Sequence, residues 1–386
     1  MNRTDAEIQK ALQSLYARSA EAPAMKGDAP AGAEPFRPQA EAPIGTETGA
    51  VIGPVTLLGS GFEADVFAFS LETGAQGSAG AQAAGRARDL ILRLYAGQGV
   101  AEKAAHEFAA MRRLLEAGYP VPEVLLFRPR FPPSGRPALV MERIRGASLG
   151  RSYWAAPEDR RRKAQAVLSR LMADLHALDA SLILPDSPLA RPQGPCASVD
   201  HEVAALSALL HQLGGGEPPS LQAVLSWLVS RRSSVPCARP VVVHGDFHPN
   251  NVLVRADGAS FVIDWSNVRL GDYRLDLAWS RLITQAESQE DGGLSDIHLY
   301  AELAGREVSG LDYFDVLACA RLLLGVLTLL EPHASRRGSR AEAQSEAATR
   351  AGQDPSHLLY VAGLLQRRTG ILMSDFERKL SVLLGL

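Results

Sequence analysis

One stretch constrains the fold more than any other. Residues 241–265 read VVVHGDFHPNNVLVRADGASFVIDW. Two apolar, β-branched runs flank a dense polar segment holding His244, Asp246, His248, Asn250 and Asn251, and the second run ends on Asp264. The apolar runs read as buried strands beside a tight turn. Polar groups placed beside buried strands are costly unless they are paired or bind something. Asp246, Asn251 and Asp264 therefore read as a site rather than as loop decoration.

The spacing gives that site a chemistry. Asn251 lies five residues after Asp246, and Asp264 thirteen after Asn251. A carboxylate at the start of such a loop can take a proton from a hydroxyl. An amide oxygen and a second carboxylate can together hold Mg²⁺, which prefers hard oxygen ligands and brings phosphate oxygens with it. If the two strands pair as a hairpin, Asp264 returns to Asn251. One base for an acceptor and two metal ligands beside phosphates are what phosphoryl transfer needs. The alternative is a polar hairpin whose Asp and Asn make only turn hydrogen bonds; against it, several spacings agree at once, in the H-x-D-x-x-x-x-N pattern followed by a metal-binding Asp.

The remainder of the chain bounds this reading. At 386 residues and 46% hydrophobic it is long enough for two domains or one bilobed unit. A net charge of −3 points to neither nucleic acid nor an anionic membrane. Cys196, Cys237 and Cys319 are distant in sequence and form no CxxC pair, so neither a zinc site nor a disulfide framework is expected, and a reducing, cytoplasmic setting fits. The apolar run LLLGVLTLL after Arg321 is too short to span a bilayer, and the N-terminus lacks a signal-peptide core.

Along the chain, residues 5–18 could form a short helix with Ile8, Leu12 and Leu15 on one face. The Ala-, Pro- and Gly-rich segment after it reads as disordered, so residues 1–50 are expected to be a tail with that one short helix, of which 1–45 are dispensable for catalysis. Then come strands at PVTLLGSG, ADVFAFS and DLILRLYA, a helix over 101–117 with Ala104, Phe108, Met111 and Leu115 on one face, and a strand at RPALVMERI. That order describes a small antiparallel sheet with one helix over 51–143. Residues 144–386 turn helical, with helices over 158–179, 200–212, 219–231, 312–330, 356–367 and 374–384 around the polar loop 244–251, and a polar insertion over 333–355.

The motif HGDFHPNN…VIDW…GD…DLA resembles the aminoglycoside phosphotransferase family, which includes choline-type and other small-molecule kinases, over roughly residues 55–330. The resemblance implies an α+β, bilobed protein-kinase-like fold with an ATP cleft between the lobes. It implies Asp246 as catalytic base, His244 as a buttress of the catalytic loop, and Asn251 and Asp264 as magnesium ligands. Asp276 in RLDLAWS would brace the loop, or is an ordinary acidic residue at a helix start. In GSGFEADVF, Gly59 and Gly61 would let backbone amides approach phosphate. Arg93 stands where kinases carry a strand lysine, with Glu107 as its helix partner; Arg is planar and always charged, so the geometry differs from lysine's. Glu142 and Ile144 in ALVMERIRG would offer backbone groups to adenine. His176 reads as a packed core histidine, and His248 as either a substrate contact or a loop brace.

The function implied is transfer of the γ-phosphate of ATP, with Mg²⁺, to a hydroxyl of a small molecule, by a monomer or homodimer without nucleic-acid or membrane partners. The second reading, suggested by Arg93, is a pseudokinase or nucleotide-binding regulatory module. A protein-substrate kinase fits less well, because VIDWSN runs directly into VRLGDYRLDLAWS with no room for an activation loop. The acidic stretch AESQEDGGLSD could face a cationic acceptor or be a solvated loop.

Overall fold

A computed structural model describes residues 3–19, 50–61, 63–73, 86–97, 99–154, 157–191, 194, 196–214, 216–288, 297–334 and 355–384. The chain divides into two compact units, Met1–Arg145 and Gly146–Leu386.

Among its described residues, the first unit is a six-stranded antiparallel sheet with two helices. Its strands are β1 (Val51–Ile52), β2 (Thr56–Ser60), β3 (Ala64–Thr73), β4 (Arg86–Tyr95), β5 (Val124–Phe131) and β6 (Arg136–Glu142). The order is β1-β3-β4-β6-β5, with β2 also on β3. The period of two along β4 sorts its side chains onto two faces. Leu90, Leu92 and Leu94 are almost fully buried in one apolar cluster with Phe67, Phe69 and Val140. Arg93 alternates with them and belongs to the other face. Sequence reading missed β5, because Pro122, Pro129 and Pro132 punctuate it. The strand tolerates Pro129 because it lies at the sheet edge, where a missing N–H costs no ladder bond.

Helix α1 (Arg3–Ser19) covers the short helix expected over 5–18, and it packs on the sheet instead of lying in a free tail. Ile8, Leu12 and Tyr16 are 3%, 0% and 4% exposed and belong to the same apolar cluster as the sheet. Gln13 donates through Nε2 to the Ala50 carbonyl at 2.8 Å and accepts the Ile52 N–H on Oε1 at 2.8 Å. Its amide satisfies edge strand β1 as another strand would. Composition suggested a tail because the Ala-, Pro- and Gly-rich residues after the helix dominate the average; three side chains at helical spacing suffice to dock it. Most of the supposed linker, residues 20–49, lies outside the described residues.

Helix α2 (Val100–Glu116) buries Ala104, Glu107, Phe108, Ala110, Met111 and Leu114. Leu114, not the expected Leu115, completes the stripe; Leu115 is exposed. The helix ends where Gly118 adopts φ +79° and the Tyr119 N–H returns to the Leu114 carbonyl.

The second unit is mainly helical. Its strands are β7 (Gly146–Ser148), β8 (Val241–Val243), β9 (Val252–Arg255), β10 (Ser260–Val262) and β11 (Arg269–Gly271). Its helices are α3 (Leu149–Trp154), α4 (Glu158–Ala177), α5 (Ala180–Ile183), α6 (Ala197–His211), α7 (Pro219–Arg231), α8 (Arg274–Ser288), α9 (Ile297–Ala304), α10 (Leu311–Ala334), α11 (Pro355–Thr369) and α12 (Ser374–Leu384). Helix α10 packs against α6, α7, α8, α11 and α12. Over Leu311–Glu331 it is long and apolar enough to cross a membrane, longer than the short run read from sequence, but 78% of its most apolar window is buried inside the protein, as expected of a core helix. Most of the polar insertion at 333–355, and residues 289–296 of the acidic stretch, lie outside the described residues.

Two pairings differ from expectation. Strands β9 and β10 form the hairpin, but β8 pairs with β11 instead. The polar loop thus leaves one ladder and enters another. Cys196 and Cys237, 41 residues apart in sequence, have Cα atoms 5.1 Å apart and form a disulfide. The expectation of isolated thiols fails because the fold brings the start of α6 beside the approach to β8; Cys319 is free and buried.

Candidate active site

In the second unit, residues 244–251 connect β8 to β9. The loop is pinned first through its backbone. Asp276, in the first turn of α8, accepts the His244 N–H on Oδ2 and the Gly245 N–H on Oδ1, both at 2.8 Å. Gly245 needs to be glycine: its φ is +77°, and a Cβ there would sit 2.6 Å from the Asn267 carbonyl oxygen. Asp276 also meets His176 Nε2 at 3.2 Å, and His176 Nδ1 lies 2.8 Å from the Tyr300 hydroxyl. Of the two readings offered for Asp276, this geometry matches the brace. His176, taken from sequence as mere packing, carries that brace to α9.

Burial alone would raise the Asp276 carboxyl, but the hydrogen bond and charge of His176, and the charge and N–H of His244, outweigh it and hold the group below the ordinary carboxylate range. His244 is fully buried between the rings of Phe247 and Trp265, whose centroids lie 5.5 and 4.6 Å away. Burial keeps its imidazole pKa low despite neighbouring carboxylates. Its Nε2 meets the Ile263 carbonyl at 3.0 Å, and its Nδ1 accepts the Asp246 N–H at 3.2 Å. The ring therefore ties the 244–251 loop to the residue before Asp264.

The Asp246 carboxylate is held at both oxygens. Asn251 Nδ2 donates to Oδ2 at 3.0 Å and to the Asp246 carbonyl at 2.9 Å. Trp279 Nε1, on α8, donates to Oδ1 at 2.6 Å, and His248 Nε2 lies 3.5 Å from the same oxygen. Burial pushes the carboxyl up, but the bond and charge of His248, the charge of His244 and the Trp279 bond outweigh it, so the group is ionised at neutral pH. His248 Nδ1 accepts the Asn250 N–H at 3.3 Å, so this side chain braces the loop.

Asn251 and Asp264 are brought together by the backbone, since the Ile263 N–H donates to the Asn251 carbonyl at 2.9 Å. Because Asn251 Nδ2 is turned toward Asp246, its Oδ1 is the end that can serve a cation. Asp264 has φ +64°, the only positive value at a non-glycine residue among those described. Such strain in a non-glycine residue persists only where the surroundings enforce it. The next residue, Trp265, is fully buried with Nε1 on the Val262 carbonyl at 2.9 Å. Among the described residues no group of three or more His, Cys, Asp and Glu side chains forms a metal cage. Asn251 and Asp264 fit a hard cation that takes its remaining oxygens from a ligand, as Mg²⁺ does with phosphates.

In the first unit, Arg93 Nη1 donates to Glu107 Oε1 at 2.7 Å, and the Tyr95 hydroxyl donates to Oε2 at 2.6 Å. Glu107 is fully buried and the Arg93 side chain only 11% exposed, so this is not a solvated surface pair. Gly59 and Gly61 lie in and just after β2, which pairs with β3 across a register shift at Leu57–Gly59. A Cβ at Gly59 would meet nothing within 4 Å, and one at Gly61 only the Ala64 carbonyl oxygen at 3.6 Å. Packing does not require glycine at either position, and the Gly61 N–H already donates to the Ala64 carbonyl at 3.0 Å. The Glu142 N–H is taken by the Glu123 carbonyl at 2.8 Å, so it is not available to a base, and the Ile144 side chain is buried.

Sequence reading missed Trp279, Arg321 and the Arg269–Glu202 pair. Arg321 Nη1 donates to the Gly245 carbonyl at 2.7 Å, and Arg269 Nε donates to Glu202 at 2.7 Å. The available signal was Trp279 itself, three residues after Asp276 and so on the same helix face.

Residues 54–308, more than half of the chain, match the sequence model of the phosphotransferase enzyme family. Among solved structures, a candidate aminoglycoside phosphotransferase from Ralstonia eutropha JMP134 is 18% identical with a TM-score of 0.56, over 80% of this chain and 92% of that one. Spectinomycin phosphotransferase APH(9)-Ia, solved with ADP and spectinomycin, is 12% identical with a TM-score of 0.52, over 82% and 94%. A choline/ethanolamine kinase family protein from Mesorhizobium loti is 17% identical with a TM-score of 0.50, over 97% and 100%. At these identities the structures speak for the fold, which is protein-kinase-like. On the strength of the family match, the chain belongs to the phosphotransferase enzyme family.

Proposed function

We propose that this protein transfers the γ-phosphoryl group of ATP to a hydroxyl of a small molecule, with Asp246 as general base. The observation that carries the reading is the Asp246 carboxylate, ionised, fixed at both oxygens and joined through Asn251 to Asp264. Asp246 orients the acceptor O–H and takes its proton as the acceptor oxygen bonds to the γ-phosphorus. The bond from that phosphorus to the β,γ-bridging oxygen breaks, and ADP leaves with the electron pair. Mg²⁺, held by Asn251 Oδ1 and Asp264, would neutralise charge on the phosphate oxygens. His244 and Asp276 set the loop's shape without touching substrate. In the first unit, Arg93 positions nucleotide phosphate while Glu107 orients it. Arg93 was the one feature that opened a non-catalytic reading, and its ion pair with Glu107 supports the catalytic one.

Membership of the family supports a small-molecule acceptor, either an aminoglycoside-like antibiotic or a small metabolite. The test is ATP consumption in the presence of Mg²⁺ with aminoglycosides, spectinomycin, macrolides, choline-like amino alcohols and sugars. Asp246→Asn should lower turnover on the acceptor found by roughly 10²–10⁴-fold, the range for losing a general base, with ATP affinity by calorimetry little changed. Near-full turnover in that variant would sink the assignment of the base.

A further inference from the structure

Helix α8 grips the 244–251 loop twice. Asp276 binds its backbone, and Trp279, three residues on and on the same helix face, binds the Asp246 carboxylate through Nε1. We propose that Trp279, backed by Arg321, is a positioning residue that fixes the rotamer of the Asp246 carboxylate. This rests on Asp246 being the base.

The geometry is specific. A loop carboxylate otherwise turns about χ1 and χ2, and reaction requires one oxygen aimed at the acceptor hydroxyl. Asn251 holds Oδ2 from within the loop, whereas Trp279 holds Oδ1 from a rigid helix. The indole is held in turn. The Arg321 guanidinium, from α10, lies 4.6 Å from the Trp279 ring centroid and donates to the Gly245 carbonyl. One arginine thus ties the core helix both to the backbone preceding Asp246 and to the ring that holds its carboxylate. Burial and the like charge of Arg269 pull the guanidinium down to about 10, partly offset by Glu202, Asp246 and Asp276, and it is still protonated at neutral pH. Keeping a disfavoured cation there is hard to account for by packing alone. Trp279 is 9% exposed, so Phe could fill most of its volume.

The test has a spectroscopic and a kinetic arm, both on the full chain. The sequence has four tryptophans, so a ¹H–¹⁵N spectrum shows four indole N–H signals, and Trp279→Phe assigns one by its loss. Asp246→Ala should move that signal more than the other three, because the bond's acceptor is gone. An unmoved Trp279 signal overturns the proposal. In the kinetic arm, ATP consumption with Mg²⁺ is followed with the best acceptor from the screen, or with water where none is found. Trp279→Phe should lower kcat by roughly 10- to 100-fold, the worth of a hydrogen bond to a charged group, with KM for ATP within about twofold. Arg321→Lys should lower kcat less than Arg321→Met. Wild-type kcat in Trp279→Phe overturns the positioning role even if the bond is seen. A wild type that consumes no ATP on any acceptor defeats the phosphotransfer reading instead, and the spectroscopic arm still decides whether Trp279 holds Asp246.

Discussion

Substituting Leu12 by Ala should unfold the first unit well before the second. Leu12 is 0% exposed at the centre of the α1 stripe, between Ile8 and Tyr16, and packs into the sheet cluster. Leu-to-Ala changes at such sites cost about 2–5 kcal/mol, from lost transfer energy plus the cavity left behind. Removing all of α1 takes away three side chains, each contributing about 1.5–3 kcal/mol on burial. That upper estimate is of the order of a whole domain's stability, about 5–15 kcal/mol. It also strips the Gln13 amide from strand β1. The assay is urea denaturation by far-UV circular dichroism, with Lys10→Ala as an exposed control on the same helix. With a urea slope of roughly 1–3 kcal/mol per molar, Leu12→Ala should lower the first unit's midpoint by about 1–2 M, and Lys10→Ala should change it little. A chain trimmed to begin at Val51 should yield little soluble protein. Should Leu12→Ala unfold with the wild type, and the trimmed chain keep its midpoint, α1 contributes nothing and the tail reading was right.

Arg93→Ala should raise the KM for ATP and lower turnover, with Arg93→Lys milder; unchanged ATP kinetics in the alanine variant would remove Arg93 from the nucleotide site. Asp276→Asn should cost about 3 kcal/mol at pH 7, because buried donors from His244, Gly245 and His176 lose a charged acceptor. The folded carboxyl is depressed, so its contribution is present above the unfolded value and lost as pH falls through the folded one. The gap between wild type and Asp276→Asn, measured by thermal melts, should therefore close as pH drops below the ordinary carboxylate range; a gap that widens there would reverse the sign. Gly245→Ala should abolish turnover and lower the melting temperature of the second unit, since φ +77° and the Asn267 carbonyl both oppose a Cβ; a wild-type melt would contradict it.

The sequence by itself marked the candidate site and most elements. Asp246, Asn251 and Asp264 were legible as candidates because they fall at short spacings along one stretch of chain, and local polarity between apolar runs marks that stretch. The strands and long helices were legible because burial repeats every two or every 3.6 residues. Tertiary structure alone decided the partners that close each group's hydrogen bonds. Trp279 reaches Asp246 across 33 residues, His176 reaches Asp276 across 100 and Arg321 reaches Gly245 across 76. No local period encodes such pairs, because each depends on how whole helices dock. The same holds for Cys196 and Cys237, distant in sequence and adjacent in the fold, and for α1, whose few apolar residues matter only once a sheet face lies beneath them.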